Sequence, residues 1–321
     1  MSRFESIKAT LRRVAVVLMS CAVVSQVQAQ ASLYSLRFHG TGTSQQDRVR
    51  IKIDNPPVPA DIGAGSFSID FLMKGTHAAN AVPTLEYRAV NDTEDFDTDW
   101  TAGNIIIDRD IFGPGPDWGI SVHRNGIGSS VGVLRFGTEG GTGGDGPHTL
   151  QTTGGVNLLD GSWHHVCVVR DASTGRKHIY IDGVHNVSSS AGVSDDDLSY
   201  PDGYTDPSWP WNPYIVFGAE KHDYDPTNYP PFTGWLDEVR LWNIALTPAQ
   251  VAAYYNTTVA PSTPGLVAYY RFEQGSGTSI VDLTGGGSDG VLIAGVAGNG
   301  EWSTDTASWY VPVAVSRFSL D

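Results

Sequence analysis

Apolar and polar residues alternate along most of the chain. The segments "SLRFHG", "RVRIKID", "SFSIDFLMKG", "NIIIDRD", "GVLRFG", "HHVCVVR", "RKHIYIDG", "YIVFGAE" and "GWLDEVRLW" each follow a period of two and are separated by Gly, Pro, Asn or Asp. That is the pattern of short β-strands joined by turns. In "IYIDGVHNV" the pair Asp182-Gly183 lies between two apolar runs, which predicts a tight hairpin. Strands this numerous and this closely spaced predict a two-layer antiparallel sandwich. One helix interrupts them, in "NIALTPAQVAAYYN". There Thr247 can cap, Pro248 takes the first helical position and Gln250 completes a capping box. Val251, Tyr254 and Tyr255 form its apolar face, which should pack on the sandwich edge rather than carry chemistry. The stretch Ser188–Pro213 is polar and Pro-rich, and a loop that long points to a binding loop or a mobile one.

The amino terminus has a different pattern. Arg3, Lys8, Arg12 and Arg13 precede the apolar run "VAVVLMSCAVV", and Val27-Gln28-Ala29 offers small residues for cleavage. Residues 1–29 therefore read as a secretory signal peptide. The apolar run falls short of the roughly 20 residues that span a bilayer, and no later run reaches that length. Leu18 to Cys21 loosely resembles a lipobox, but the apolar run continues past Cys21, so cleavage near Ala29 is favoured over a lipid anchor. The expected location is secreted or at the cell surface, with no membrane span.

Three stretches together resemble a known family: "DGSWHHVCVVRDASTGRKHIYIDGV", "YIVFGAE" and "FTGWLDEVRLWNIALTPAQV". They are similar to the laminin G-like, pentraxin-like domains of the concanavalin A-like lectin and glucanase superfamily. The resemblance covers most of residues 33–256, and its most specific part is the ordered series Trp163, Asp182-Gly183 and Gly234 to Trp242. It implies an all-β, two-sheet antiparallel jelly roll with one short helix near the carboxyl end. It also implies an exported and commonly non-catalytic module that binds glycans or other surface partners, often with calcium. In the superfamily the Asp of the "DEV" strand often joins a structural calcium site with carbonyl oxygens near the first strand. Carried over, these are Asp237, His39 and Gly40, with Asp47 as a further oxygen donor. Apart from the family, if Trp235, Val239 and Leu241 share a face, then Asp237 shares it too. An unpaired carboxylate there would be costly, so it needs a cation or hydrogen-bond donors.

Composition narrows the partners. The 321 residues include 35 acidic and 20 basic ones, for a formal charge of −15. Without the signal peptide, 16 basic and 34 acidic residues remain, so the acidity belongs to the folded part. Such a field repels phosphate backbones, which excludes nucleic acid as a partner and favours cations. Calcium takes six to eight oxygen ligands, and an acidic surface can supply them. Cys167 would then be the one remaining cysteine. No intrachain disulfide is expected, and within "HHVCVV" this residue reads as a small buried hydrophobe.

Other chemistry is thinly supported. "NDTEDFDTDW" alternates Asp95, Asp97 and Asp99, which leaves open a solvated loop, a cation site or catalysis. Retaining glycosidases need two carboxyl groups about 5 Å apart. The related glucanases carry Glu-x-Asp-x-x-Glu or Glu-x-Asp-x-Glu, whereas here Phe96 follows Glu94 at the Asp position and no second Glu follows. His164 and His165 are adjacent in a strand, so they point to opposite faces and cannot share one ion. No nucleophile elbow is present, and "GTEGGTGGDG" lacks the Lys of a phosphate loop. Asn91, Asn186 and Asn256 are glycosylation sequons of little weight. Trp209 and Trp211, set among prolines in the long loop, are the candidates for stacking on sugar rings.

The expected organisation is a signal peptide over 1–29, a laminin G-like domain over 30–256, a linker over 257–264 and a segment over 265–321 resembling the start of such a domain and packed back on the sandwich. The expected function is recognition of an extracellular or cell-surface glycan or protein, with calcium support and without catalysis. A divergent polysaccharide hydrolase and a structural adhesion component are the competing readings.

Overall fold

The computed structural model describes residues 32–40, 46–80, 99–111, 115–125, 131–141, 144, 148–203, 213–221, 229–296 and 301–309. In chain order the strands begin with β1 (Ser35–His39), β2 (Arg48–Lys52), β3 (Phe67–Thr76), β4 (Asn104–Arg109), β5 (Asp117–Asn125) and β6 (Val131–Glu139). They continue with β7 (His148–Gln151), β8 (Asp160–Asp171), β9 (Arg176–Ile181), β10 (Val184–Ser188), β11 (Tyr214–Phe217) and β12 (Thr233–Trp242). After β12 come the helix α1 (Pro248–Tyr254) and the strands β13 (Leu266–Tyr270), β14 (Ser279–Ile280), β15 (Gly290–Ile293) and β16 (Trp302–Ser303).

These strands form two sheets, and the fold is an all-β jelly-roll sandwich with one short helix. The first sheet runs β10-β9-β8-β3-β12-β1-β16, and β13 pairs with β12 beyond the end of β1. The second runs β14-β15-β2-β11-β4-β5-β6-β7. Period-two patterning explains the core between them. Phe67, Ile69, Phe71 and Met73 of β3 face Ile120, Val122, Ile215 and Phe217 of the second sheet within one buried cluster. Full burial of each such side chain is worth about 1.5–3 kcal/mol. The predicted hairpin joins β9 to β10, with Asp182 at φ 50 and Gly183 at φ 78.

The outer face of the first sheet is buried as well. Cys167, Val169, Tyr180, Trp242 and Tyr269 project from that face into a second cluster with Leu246 and Val251. The helix has its full capping box, with Gln250 N donating to Thr247 Oγ1 and Thr247 N donating to Gln250 Oε1. As expected, α1 packs against the edge strand β10, and it extends from there over the outer face: Val251 is buried there, and Tyr254 stacks on Trp242 with ring centroids 5.5 Å apart. The outer face of the first sheet is itself apolar, and the helix covers the face that the core leaves open.

Chain beyond the helix enters both sheets. β13 pairs with β12 through Val239↔Tyr270 and Leu241↔Ala268. β15 pairs with β2 through Leu292↔Val49, and β16 pairs with β1. Ala268, Tyr269, Tyr270, Ile280 and Leu292 are all buried. A chain ending at Asn256 would therefore lose core side chains and expose the flanks of β12 and β2 to pairing with other chains. It is expected to aggregate or melt well below the full chain in size-exclusion and thermal-unfolding measurements; an unchanged melting temperature in a monomer would contradict this packing.

Candidate functional site

The site is assembled on the outer face of the first sheet, and a β-bulge in β12 sets its geometry. Asp237 pairs with Leu72, but Arg240 pairs with Asp70, so one extra residue is inserted between them. Glu238 takes it up at φ 52. A bulge shifts the alternation by one residue. Leu236, Val239 and Leu241 therefore face the main core, while Asp237 and Arg240 face outward with their β3 partners. The expectation that Asp237 lies on the Val239 face is corrected by this extra residue.

The bulge brings charged groups under cover. Asp70 accepts from Trp242 Nε1 at 2.7 Å, from Arg240 Nη1 at 3.1 Å and from His165 Nε2 at 3.1 Å. Burial would raise its carboxyl, but Arg240 and His165 outweigh it and hold Asp70 below the usual range. Glu238 accepts from Tyr269 Oη and, at 2.7 Å, from Arg271 Nε. Arg240 also donates to the carbonyls of Tyr254 at 3.2 Å and Thr257 at 2.9 Å. Those two carbonyls bracket Tyr255 and Asn256, so the buried guanidinium fixes the turn that leaves the helix.

That turn forms one wall of a cleft of about 300 Å³ lined by Trp163, His164, Asp182, Tyr255, Asn256 and Trp309. Tyr255 packs on the hairpin so closely that a Cβ at Gly183 would lie 2.7 Å from its Cδ1. On its other side it stacks on Trp309, with centroids 6.2 Å apart. Asp305 anchors the segment that carries Trp309. Its carboxylate takes Lys74 Nζ at 2.6 Å and Trp163 Nε1 at 3.0 Å, and its carbonyl takes Ser35 Oγ at 2.7 Å. At the polar end Asp182 connects the cleft to His164, whose ring turns to the face opposite Trp163 and His165; its Nδ1 is 3.0 Å from Asp182 Oδ2 and its Nε2 is 3.3 Å from Asp160 Oδ1. The bond to Asp182 raises the imidazole above its ordinary value against the effect of burial. Burial opposes ionisation of both carboxyls, but bonds from His164 and from backbone amides keep them below the usual range. His164 and His165 thus serve different carboxylates.

The four residues assigned to calcium from sequence do not form one ligand set. Asp47 is occupied by two backbone amides, His39 N at 2.9 Å and Gly295 N at 2.6 Å. His39 pairs with Thr233, and Thr233 Oγ1 lies against Gly40. Asp237 is four residues farther along β12, about 13 Å at the usual strand rise. Its own partners are Glu238 N at 2.8 Å and Ser32 Oγ at 2.7 Å. Among the described residues, a different trio brings carboxylate oxygens within 4.8 Å of one another: Asp108, Asp110 and Glu220. Lys221 Nζ is 3.9 Å from Asp110 and supplies part of the balancing charge. Trp209, Trp211, Asp95 and Asp97 lie outside the described residues, and the backbone of Asp99 opens a short 3-10 turn.

Residues 96–252 match the laminin G-type family model described as the concanavalin A-like lectin/glucanases superfamily, so the resemblance read from the sequence holds over that stretch. No curated protein matches the chain in sequence. Among solved structures, the chain is similar to a protein of Bacteroides ovatus provisionally described as carbohydrate binding. The two are 18% identical over 83% of this chain and 59% of the other, with a TM-score of 0.51. A heptameric SAP-like pentraxin of Limulus polyphemus is 13% identical over 82% of this chain and 96% of its own, with a TM-score of 0.45. Domains LG4-5 of the mouse laminin alpha1 chain are 12% identical over 71% and 48%, with a TM-score of 0.41. At 18% identity the likeness to the Bacteroides ovatus structure is one of fold.

Asp237 yields a pH prediction. Ser32 Oγ has one hydrogen, yet it lies 2.9 Å from Tyr34 O, 2.7 Å from Asp237 Oδ2 and 2.8 Å from Glu273 Oε1. A protonated Asp237 would donate to Ser32 Oγ and so relieve one of these three contacts. Burial, then the Glu238 carboxylate, pushes its carboxyl well above the usual range. The folded state thus favours the protonated form, so this group's contribution to stability is complete below its unfolded value and is lost as pH rises through the folded one. Asp237→Asn keeps the shape without the charge. It is expected to raise the melting temperature more at about pH 8 than at about pH 4; an equal or opposite change at the two would contradict a protonated Asp237.

Proposed function

We propose that this protein is a carbohydrate-recognition module that binds glycan in the cleft between Trp163, Tyr255 and Trp309. The observation that carries this reading is the convergence of three aromatic rings, from β8, the helix end and the carboxyl-terminal segment, beside a polar end made by His164, Asp182 and Asn256. Sugar rings offer just this pairing of chemistries, an apolar C–H face and an edge of hydroxyls, and ligand sites in general combine apolar walls with a few placed polar groups. The Bacteroides ovatus structure supports the reading by its fold and its description. The amino-terminal basic and apolar pattern supports export. No helix among the described residues is long and apolar enough to cross a membrane.

The electrostatics favour binding without hydrolysis. A glycosidase needs one carboxyl with a raised pKa to protonate the leaving group. Asp182, the carboxyl that lines this cleft, is held low and engaged by His164, as is Asp160 beyond it.

Calcium support is assigned to Asp108, Asp110 and Glu220, although Asp108, like Asp47, already accepts from two backbone amides, Asp110 N at 2.9 Å and Lys221 N at 2.6 Å. Three convergent side-chain oxygens fit part of calcium's demand, with carbonyls and water supplying the rest. Binding to the folded state alone would stabilise by about 2.7 kcal/mol at 100 times the dissociation constant. Calcium is expected to raise the melting temperature of the parent protein and of Asp237→Asn but not of Asp110→Asn. A rise retained in Asp110→Asn would exclude this site.

Trp309→Ala and Tyr255→Leu are expected to weaken glycan binding about tenfold or more by calorimetry, as central aromatic contacts do, with the fold intact by circular dichroism. Undiminished binding in both variants would place the glycan elsewhere.

A further inference from the structure

The charges around the cleft bear on which glycans it can hold. His164 sits between Asp160 and Asp182, with each ring nitrogen facing one carboxylate oxygen. Even with the imidazole charged, the three groups sum to one negative charge. Both imidazole nitrogens are committed to carboxylates, so neither is left to receive an anion from a ligand. Lys74 is bound to Asp305 on the far side of Trp163, and Arg240, behind the Tyr255–Asn256 turn, is paired with the buried Asp70. The overall charge of −15 adds a repulsive field of the same sign.

The remaining polar capacity suits hydroxyl groups. Asp182 Oδ1 accepts from His165 N at 2.9 Å and Oδ2 faces His164, and each carboxylate oxygen can accept a further hydrogen bond. Asn256 presents both a donor and an acceptor at the cleft wall. Adjacent hydroxyls on a sugar ring can satisfy both residues, one donating to Asp182 and the next exchanging hydrogen bonds with Asn256, while the ring's C–H face meets Tyr255 or Trp309. A carboxylate or sulfate in the same position offers Asp182 no hydrogen and a like charge.

Resting on the carbohydrate reading above, we propose that the cleft selects uncharged sugars bearing adjacent hydroxyls and discriminates against carboxylated and sulfated glycans. Asp182 is the residue that sets the discrimination.

The test compares neutral hexose oligosaccharides with uronic-acid and sulfated oligosaccharides of matched linkage, by calorimetry on the parent protein, Asp182→Asn and Trp309→Ala. The expected result is tighter binding of the neutral set by about tenfold or more. That gap should narrow in Asp182→Asn, which keeps the acceptor for His165 N, and should narrow in high salt. Acidic glycans bound as well as neutral ones in a manner lost in Trp309→Ala would overturn the selectivity and leave the cleft reading intact. A gap unchanged in Asp182→Asn would also overturn it. Absence of binding by every glycan would overturn the carbohydrate reading itself, and the inference with it.

Discussion

The buried ion pair between Asp70 and Arg240 is the interaction on which the outer face of the first sheet depends. Removing two such charges from water costs several kcal/mol per ion unless their remaining hydrogen-bonding capacity is met. Asp70 meets it with Trp242 and His165. Arg240 directs Nη1 and Nη2 to the Tyr254 and Thr257 carbonyls, which are in reach where the helix end lies down on the sheet. One electrostatic requirement thus couples β3, β8, β12 and the chain after α1. The same requirement delivers Tyr255 and Asn256 to the cleft, because they lie between the two carbonyls that Arg240 holds.

The bulge at Glu238 makes this arrangement possible. Without the extra residue, Arg240 would turn into the hydrophobic core and Val239 would turn out of it. With it, Arg240 faces Asp70, and Glu238 reaches Tyr269 and Arg271 of the following segment. The carboxyl-terminal strands are therefore tied to the sandwich by buried charge as well as by backbone pairing, and nearer the tail the more exposed Asp305 holds Lys74 and Trp163 together. The cleft lies where these two ties meet.

The strands, the Asp182-Gly183 hairpin and the capped helix were legible because each is encoded within a few neighbouring residues. Alternation, a turn dipeptide and a capping box need no long-range information. The face of Asp237 was not legible, since a bulge at a non-glycine residue leaves no mark on the apolar pattern and shifts everything after it. The separation of Asp237 from His39, Gly40 and Asp47 was hidden for a related reason. Placing Asp237 beside His39 requires the cross-strand register, and in the register found Thr233 stands opposite His39. The cleft was missed because its residues come from four separate stretches, each with an adequate structural role of its own: Trp163 and His164 in a strand, Asp182 in a turn, Tyr255 on a helix, and Trp309 near the chain end. The one available hint was that Trp163 and Asp182-Gly183 belonged to the most specific part of the family resemblance.

In the proposed function, glycan meets the cleft on the outer face of the first sheet rather than the long loop. Indole N–H resonances report this directly, because each tryptophan gives its own signal. On titration with neutral hexose oligosaccharides, the signals of Trp163 and Trp309 should shift while that of Trp118, fully buried in the core, stays in place. Shifts confined to Trp209 or Trp211, with Trp163 and Trp309 unmoved, would contradict it.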